Sequence, residues 1–261
     1  MLAKSACASL NSAHMALLVD IGNTHIKWCD SADLADIGPS IGLSSNLREV
    51  LSQQWSRLDM PSAVMVSNVA GRETETILST WMIETWNMQP TYVKVRHEQL
   101  GVVNGYRKPV QLGVDRWMAL IAARALFQQV LIVVDCGTAT TIDAMDDTGL
   151  HYGGIILPGY QMMQESMLGN TAIPDYTNAV QKTLFATDTA SGIRSGAVIA
   201  TAGAVEKIVG AMRNRAKGEV ICLVTGGGAE ELIGVTDISV RHEPHLVLNG
   251  LDQIARQANQ S

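Results

Sequence analysis

Charge is scarce in this 261-residue chain, and what there is does not gather. Charged residues make up 17%, the net charge is −6, and no run of Lys or Arg occurs. That excludes the basic footprint of a protein whose main partner is nucleic acid. An anionic ligand would have to find a local group of positive side chains. Cysteine is scarce too: Cys7, Cys29, Cys136 and Cys222 lack the paired spacing of a metal site or disulfide framework. Reduced thiols in the cytoplasm are the simplest account, with Cys136 a small core residue beside Val134 rather than a nucleophile. No apolar stretch reaches the length of a membrane span. Residues 1–14, with one Lys and no sustained apolar core, make a poor signal peptide and read as a tail. Low-complexity segments are missing as well. What is abundant is apolar: 47% hydrophobic residues provide a substantial core for one large domain or two ordinary ones.

Two segments repeat one pattern. Met15-Ala-Leu-Leu-Val-Asp-Ile-Gly-Asn-Thr24 and Val130-Leu-Ile-Val-Val-Asp-Cys-Gly-Thr-Ala-Thr140 each run an apolar strand into Asp-x-Gly and short polar side chains. Runs rich in Val, Leu and Ile predict strands buried on both faces. Each Asp then falls where the strand leaves the core, and the Gly lets backbone approach a ligand closely. Such a turn offers N–H donors to phosphate oxygens and a carboxylate to a cation. A single copy is equally an ordinary turn; two copies behind matching strands favour a pair of phosphate hairpins.

Around these hairpins the pattern alternates strand and helix, an α/β class. Strands are expected at Ala16–Val19, His25–Trp28, Ala63–Ser67 and Tyr92–Val95, with helices at Leu47–Trp55 and Glu73–Trp86. Residues 100–112, holding Gly101, Gly105, Tyr106 and Pro109, read as a crossover loop. A helix from Asp115 to about Gln128 follows, then strands 130–135 and 139–144 and a strand leading to Gly153–Gly159. Ser191–Ala216 reads as a long helix whose glycines permit close packing, within the chain or across a dimer. Glu219–Val224 is a strand running into Thr225-Gly-Gly-Gly228 and a further helix. The glycine turn is either a nucleotide-contacting turn or a tight connection.

Lys27 lies on the strand after the first hairpin, either returning its ammonium to bound phosphates or simply solvated. Gly113-Val-Asp-Arg116 opens a helix, where Asp115 reads as the N-cap. It reads equally as a base for a substrate hydroxyl, with Arg116 balancing negative charge.

Asp20-Ile-Gly-Asn-Thr24 with Lys27, Gly113-Val-Asp-Arg116, Asp135-Cys-Gly-Thr-Ala-Thr-Thr-Ile-Asp143, Gly153–Gly159 and Thr225–Gly228 together resemble the type III pantothenate kinases, in order and spacing, from about Met15 onward. The resemblance implies two ribonuclease H-like domains of the acetate and sugar kinase, chaperone ATPase and actin superfamily, with a central ATP cleft. It sets a tail at 1–14 and domains at 15–112 and 113–261. It implies phosphorylation of the terminal hydroxyl of pantothenate, the first step of coenzyme A synthesis. Asp20, Ile21, Gly22, Asn23, Thr24, His25, Ile26, Lys27 and Thr138 would bind ATP. Tyr106, Gly113, Val114, Asp115, Arg116 and Thr189 would bind pantothenate, with Asp115 the general base. Asp135 would hold a monovalent cation, K+ or NH4+, and Mg2+ would come with ATP. A cytoplasmic homodimer with no nucleic-acid or membrane partner is implied. The rival readings are a non-catalytic regulatory relative and another ATPase of the superfamily, such as a sugar kinase or chaperone-like machine. The chain is short for that second group.

Overall fold

Two compact units account for the chain, one running to Val93 and taking in residues from Ile254, the other spanning Lys94–Gln253. This computed structural model describes residues 16–43, 46–169 and 183–259. The expected tail with Cys7, and the expected start at Met15, lie outside the described residues.

In the first unit β1 (Ala16–Ile21) turns back antiparallel into β2 (His25–Asp30), closed by the Gly22 N–H donating to His25 O at 3.0 Å. There follow β3 (Ile41–Gly42), α1 (Leu47–Trp55), β4 (Ala63–Asn68), α2 (Arg72–Trp86) and β5 (Thr91–Tyr92). The sheet order is β3-β2-β1-β4-β5, with β4 parallel to both β1 and β5. Leu17, Leu18, Val19 and Ile21 are all buried, as a central strand covered on both faces requires. Helix α1 buries Leu47, Leu51 and Trp55 at four-residue spacing, one stripe of the helix. Trp55 meets Trp28 and Trp81 edge-on at 5.8 Å each and stacks on Trp86 at 6.2 Å. The strand expected at 92–95 is only Thr91–Tyr92; after the Val93 N–H bonds Val66 O the chain leaves the sheet.

The second unit holds β6 (Glu98–Gln99), β7 (Val102–Val103), a 3-10 turn (Pro109–Gln111), α3 (Val114–Leu126), β8 (Val130–Cys136), β9 (Ala139–Met145) and β10 (His151–Pro158). Then come α4 (Tyr160–Gly169), α5 (Thr189–Arg213), β11 (Val220–Thr225), α6 (Ala229–Ile233), β12 (Arg241–His242) and α7 (Leu246–Ala258), whose residues from Ile254 count with the first unit. The sheet order is β10-β9-β8-β11-β12, with β8 and β9 antiparallel and β11 parallel to β8 and β12. Both five-stranded sheets therefore share one order and the same strand directions about the hairpin. The repeat in the sequence is a repeat of topology.

This unit begins at Lys94, upstream of Gly113, because the crossover segment is tied into it. The Val103 N–H donates to Gly149 O at 2.9 Å, and the Arg116 side chain reaches Tyr106. Helix α5 is long and apolar enough to cross a membrane by length and composition, unlike the sequence expectation. It is instead a core helix: Val198, Ala202, Val205, Val209 and Met212 pack with Val130, Ile132, Val134, Cys222 and Val224. Within the chain, a Cβ added at Gly196, Gly203 or Gly210 meets nothing within 4 Å among the described residues, and one at Gly192 meets only Ala186 Cβ at 4.0 Å.

Candidate active site

Asp115 sits in the first turn of α3, and it does not cap the helix. Gly113 is the N-cap residue and no side chain closes that end. The Asp115 Oδ1 instead accepts the N–H of the next residue, Arg116, at 2.7 Å. Burial pushes its carboxyl above the ordinary value, and the Asp143 carboxylate pushes in the same direction. The Arg116 N–H and positive charge pull it partly back. A half-buried carboxyl raised this way is better matched to accepting a proton near neutrality than an ordinary aspartate.

Arg116 is buried at 7% exposure, and its guanidinium is held on two sides. Its Nε donates to Asp143 Oδ2 at 2.8 Å and its Nη2 to Asp143 Oδ1 at 2.6 Å, a bidentate pair. Its Nη1 donates to the Tyr106 hydroxyl at 2.9 Å, with the guanidinium carbon 5.5 Å from the ring centre. Burial disfavours the charge, but the Asp143 carboxylate outweighs it and holds Arg116 above its ordinary value. Asp143 also bonds His151 Nε2 at 2.8 Å. Against its own burial, His151 and Arg116 hold its carboxyl below the usual range.

Local backbone explains how these groups meet. A bulge between His151 and Gly153 sets Gly154 opposite Asp143 across β9 and β10. A Cβ at Gly154 would lie 2.5 Å from Asp143 Oδ1 and 2.9 Å from Arg116 Nη2, so only glycine leaves room for the pair. The Tyr106 loop is fastened by Asn104, whose Oδ1 accepts the Tyr106 N–H at 2.9 Å and whose own N–H donates to His97 O at 2.8 Å.

Both hairpins form as expected, each within its own unit. Asp20 pairs in register with Lys27 across β1 and β2, and with Ser67 across β1 and β4. Asn23, Thr24 and His25 are exposed and Gly22 is half-buried, whereas the Ile21 and Ile26 side chains are core. Asp135 occupies the matching place in β8, beside Thr225 of β11 and Thr141 of β9. Two glycine segments close on this turn: the Gly159 N–H donates to Thr138 O and the Gly228 N–H to Cys136 O, both at 2.9 Å. Gly226 has φ 89°, and a Cβ there would stand 2.4 Å from Asp135 Oδ1. Thr138 is exposed at the tip. Burial pushes the Cys136 thiol up to about 11, in keeping with a core residue.

The structure thus brings Tyr106, Asp115 and Arg116 together at the Gly113–Val114 helix start, while Thr189 is exposed at the first turn of α5, with no hydrogen bond to them. Sequence reasoning missed His151, and treated Asp143 only as part of a motif. A carboxylate two positions from Met145 in an apolar strand was the available signal, because a buried charge demands a partner. Ser67, buried beside Asp20 with an unpartnered hydroxyl, was missed as well. Among the described residues no three His, Cys, Asp or Glu side chains gather as a metal cage.

The sequence pattern of the type III pantothenate kinase family matches residues 16–211. A type III pantothenate kinase of Nitrosococcus oceani is 34% identical over 253 residues, covering 94% of this chain and 95% of that one. Another, from Janthinobacterium sp. (strain Marseille), is 39% identical over 258 residues, covering 93% and 98%. Among solved structures, a Campylobacter jejuni chain assigned to the Baf family of transcriptional activators superposes with TM-score 0.57 at 21% identity, covering 94% of this chain and all of that one. A ParM filament from Clostridium botulinum gives 0.52 at 10% identity, covering 94% and 99%. Those two likenesses are of fold, the ribonuclease H-like fold of the actin-like ATPases.

Proposed function

The chain belongs to the type III pantothenate kinase family, and we propose that it phosphorylates pantothenate from ATP with Asp115 as the general base. This enzyme, a phosphotransferase with an alcohol acceptor, carries out the first step of coenzyme A synthesis. The observation that carries the residue assignment is the raised Asp115 carboxyl beside an Arg116 already locked by Asp143.

Pantothenate would bind around Tyr106, Gly113, Val114, Asp115 and Arg116, with Thr189 reaching it from α5. A guanidinium has five N–H donors, of which Arg116 uses three, on Asp143 and Tyr106. The remaining two are available to an anionic or hydroxylated ligand. As the phosphoryl group leaves ATP, Asp115 takes the proton of the attacking hydroxyl. Transfer of this kind depends mainly on positioning and charge neutralisation. Asp20 to Lys27 and Thr138 would bind the nucleotide, through side chains at Asn23, Thr24, His25 and Lys27, with Ile21 and Ile26 holding the hairpin from the core.

Asp135 would hold a monovalent cation, K+ or NH4+. The fit is supported by its donor set, one carboxylate beside the Thr225 and Thr141 positions, and by the side-chain-free space at Gly226. Such an ion supplies positive charge near the transferring phosphates. Mg2+ binds largely through substrate phosphates and water, so a protein-only cage is not needed for it.

We further infer a cytoplasmic homodimer acting on small molecules, not on nucleic acid or a membrane. Exposed Tyr152, Ile155 and Ile156 on the edge strand β10, with Met162 and Met167 on α4, support a second copy as neighbour. ATP consumption with magnesium, with and without pantothenate, in potassium and then sodium buffer, tests the whole reading. Pantothenate-dependent turnover that falls without potassium is expected. Folded, ATP-binding protein with no turnover in any buffer would contradict it.

A further inference from the structure

His151 engages both partners of Arg116, Asp143 and Tyr106. Its Nε2 bonds Asp143 Oδ1 at 2.8 Å, and its ring stacks on Tyr106 at 5.8 Å with the planes 14° apart. The ring is fully buried at 0% exposure. Asp143 can only accept, so Nε2 carries the proton of this bond. The opposite nitrogen, Nδ1, is buried with no hydrogen-bond partner.

We propose that His151 is a positioning residue for the substrate pocket: a buried strap, His151 to Asp143 and His151 to Tyr106, that sets the orientation of the Arg116 guanidinium and thereby the affinity for pantothenate. The proposal rests on the reading of Tyr106 and Arg116 as that pocket. The Asp143 carboxylate accepts three donors, two from Arg116 and one from His151. With Arg116 alone it would remain paired but free to rock about the guanidinium plane; the third donor fixes that rotation. The Tyr106 ring likewise meets both the His151 ring and the guanidinium. Backbone packs equally close behind. A Cβ at Gly105 would fall 1.7 Å from the His151 carbonyl oxygen, so the Tyr106 loop lies directly against the start of β10.

Such a strap works on one substrate only, which separates it from a general structural role. The bond and the stack can also be removed one at a time. His151→Phe keeps a ring against Tyr106 but deletes the N–H to Asp143; His151→Gln keeps a donor and deletes the ring. Steady-state kinetics in each substrate, with thermal melts alongside, read the outcome. For H151F the pantothenate KM is expected to rise about tenfold, the loss carried by misalignment of one charge-assisted hydrogen bond. The ATP KM stays within about twofold, since loss of uniform binding to one substrate leaves the other's constant alone. H151Q is expected to fall between H151F and wild type in pantothenate KM. Should H151F not fold, H151Q decides alone: a pantothenate KM raised while the ATP KM holds supports the strap. Folded variants with wild-type kinetics would overturn it, as would parallel rises in both KM values. Both of those results leave the kinase reading standing. A wild-type protein without pantothenate-dependent turnover would instead overturn the reading of the pocket, and the strap with it.

Discussion

Replacing Asp143 by Asn removes one charge from the centre of the second unit and leaves its shape nearly unchanged. The Arg116 and Asp143 side chains are 6% and 3% exposed, so Arg116 would lose its counter-charge where water cannot substitute. Removing one partner of a buried pair costs about 3–5 kcal/mol. The Asn amide still offers one oxygen, which places the expected loss near the lower end. The contrast within the same chain is Arg48–Glu84, an ion pair with both side chains 53% exposed. Breaking an exposed pair of that kind costs about 0–1 kcal/mol. Against a total stability of roughly 5–15 kcal/mol the Asp143 change is large. At about 2–4 °C per kcal/mol for a chain of this size, the melting temperature should fall by roughly 6–12 °C or more. Urea and thermal melts of D143N, E84Q and wild type measure this. An R116M/D143L double variant should recover much of the loss, since an apolar pair carries no stranded charge, yet it should not recover activity. A D143N protein within about 1 kcal/mol of wild type would refute the reasoning.

The two aspartates should respond oppositely to pH. Asp143 is lowered in the folded state, so its contribution is present above the unfolded carboxylate value and is lost as pH falls through its folded value. Asp115 is raised, so its contribution is present at low pH and lost as pH rises through its folded value; D115N melts measured at neutral pH should be at or above wild type. Gly226→Ala forces a Cβ to within 2.4 Å of Asp135 Oδ1 at φ 89°. It should raise the potassium concentration needed for half-maximal rate, measured by potassium titration, and lower stability by about 1–2 kcal/mol. Lys27→Ala should raise the ATP KM about tenfold with little change for pantothenate, since it removes one charge contact to phosphate; an unchanged ATP KM would place Lys27 on the solvated face.

Much of the scaffold was legible because it is written locally. Helix α1 runs over Leu47–Trp55 as the spacing of Leu47, Leu51 and Trp55 dictates, and both hairpins lie where Asp-x-Gly follows an apolar run. The matching sheet orders were foreshadowed by that repeat. The site was legible only in part. Asp115, Arg116 and Tyr106 were found, but the local pattern offered Asp115 as a cap, and the cap position belongs to Gly113. His151 was invisible because its partner is decided by the β9–β10 register and by a bulge, neither of which a linear pattern carries. Nor could the sequence say which face of α5 is buried, which depends on its neighbours: Val198, Val205 and Val209 take the core, and Gly196, Gly203 and Gly210 lie off it.

The most direct test of Asp115 as the base is D115N, assayed for pantothenate-dependent ADP release and, separately, for ATP binding by calorimetry. The account predicts normal ATP binding in a folded protein with turnover reduced by about 10²–10⁴-fold, the usual contribution of a positioned base. D115N that turns over at close to the wild-type rate would contradict it.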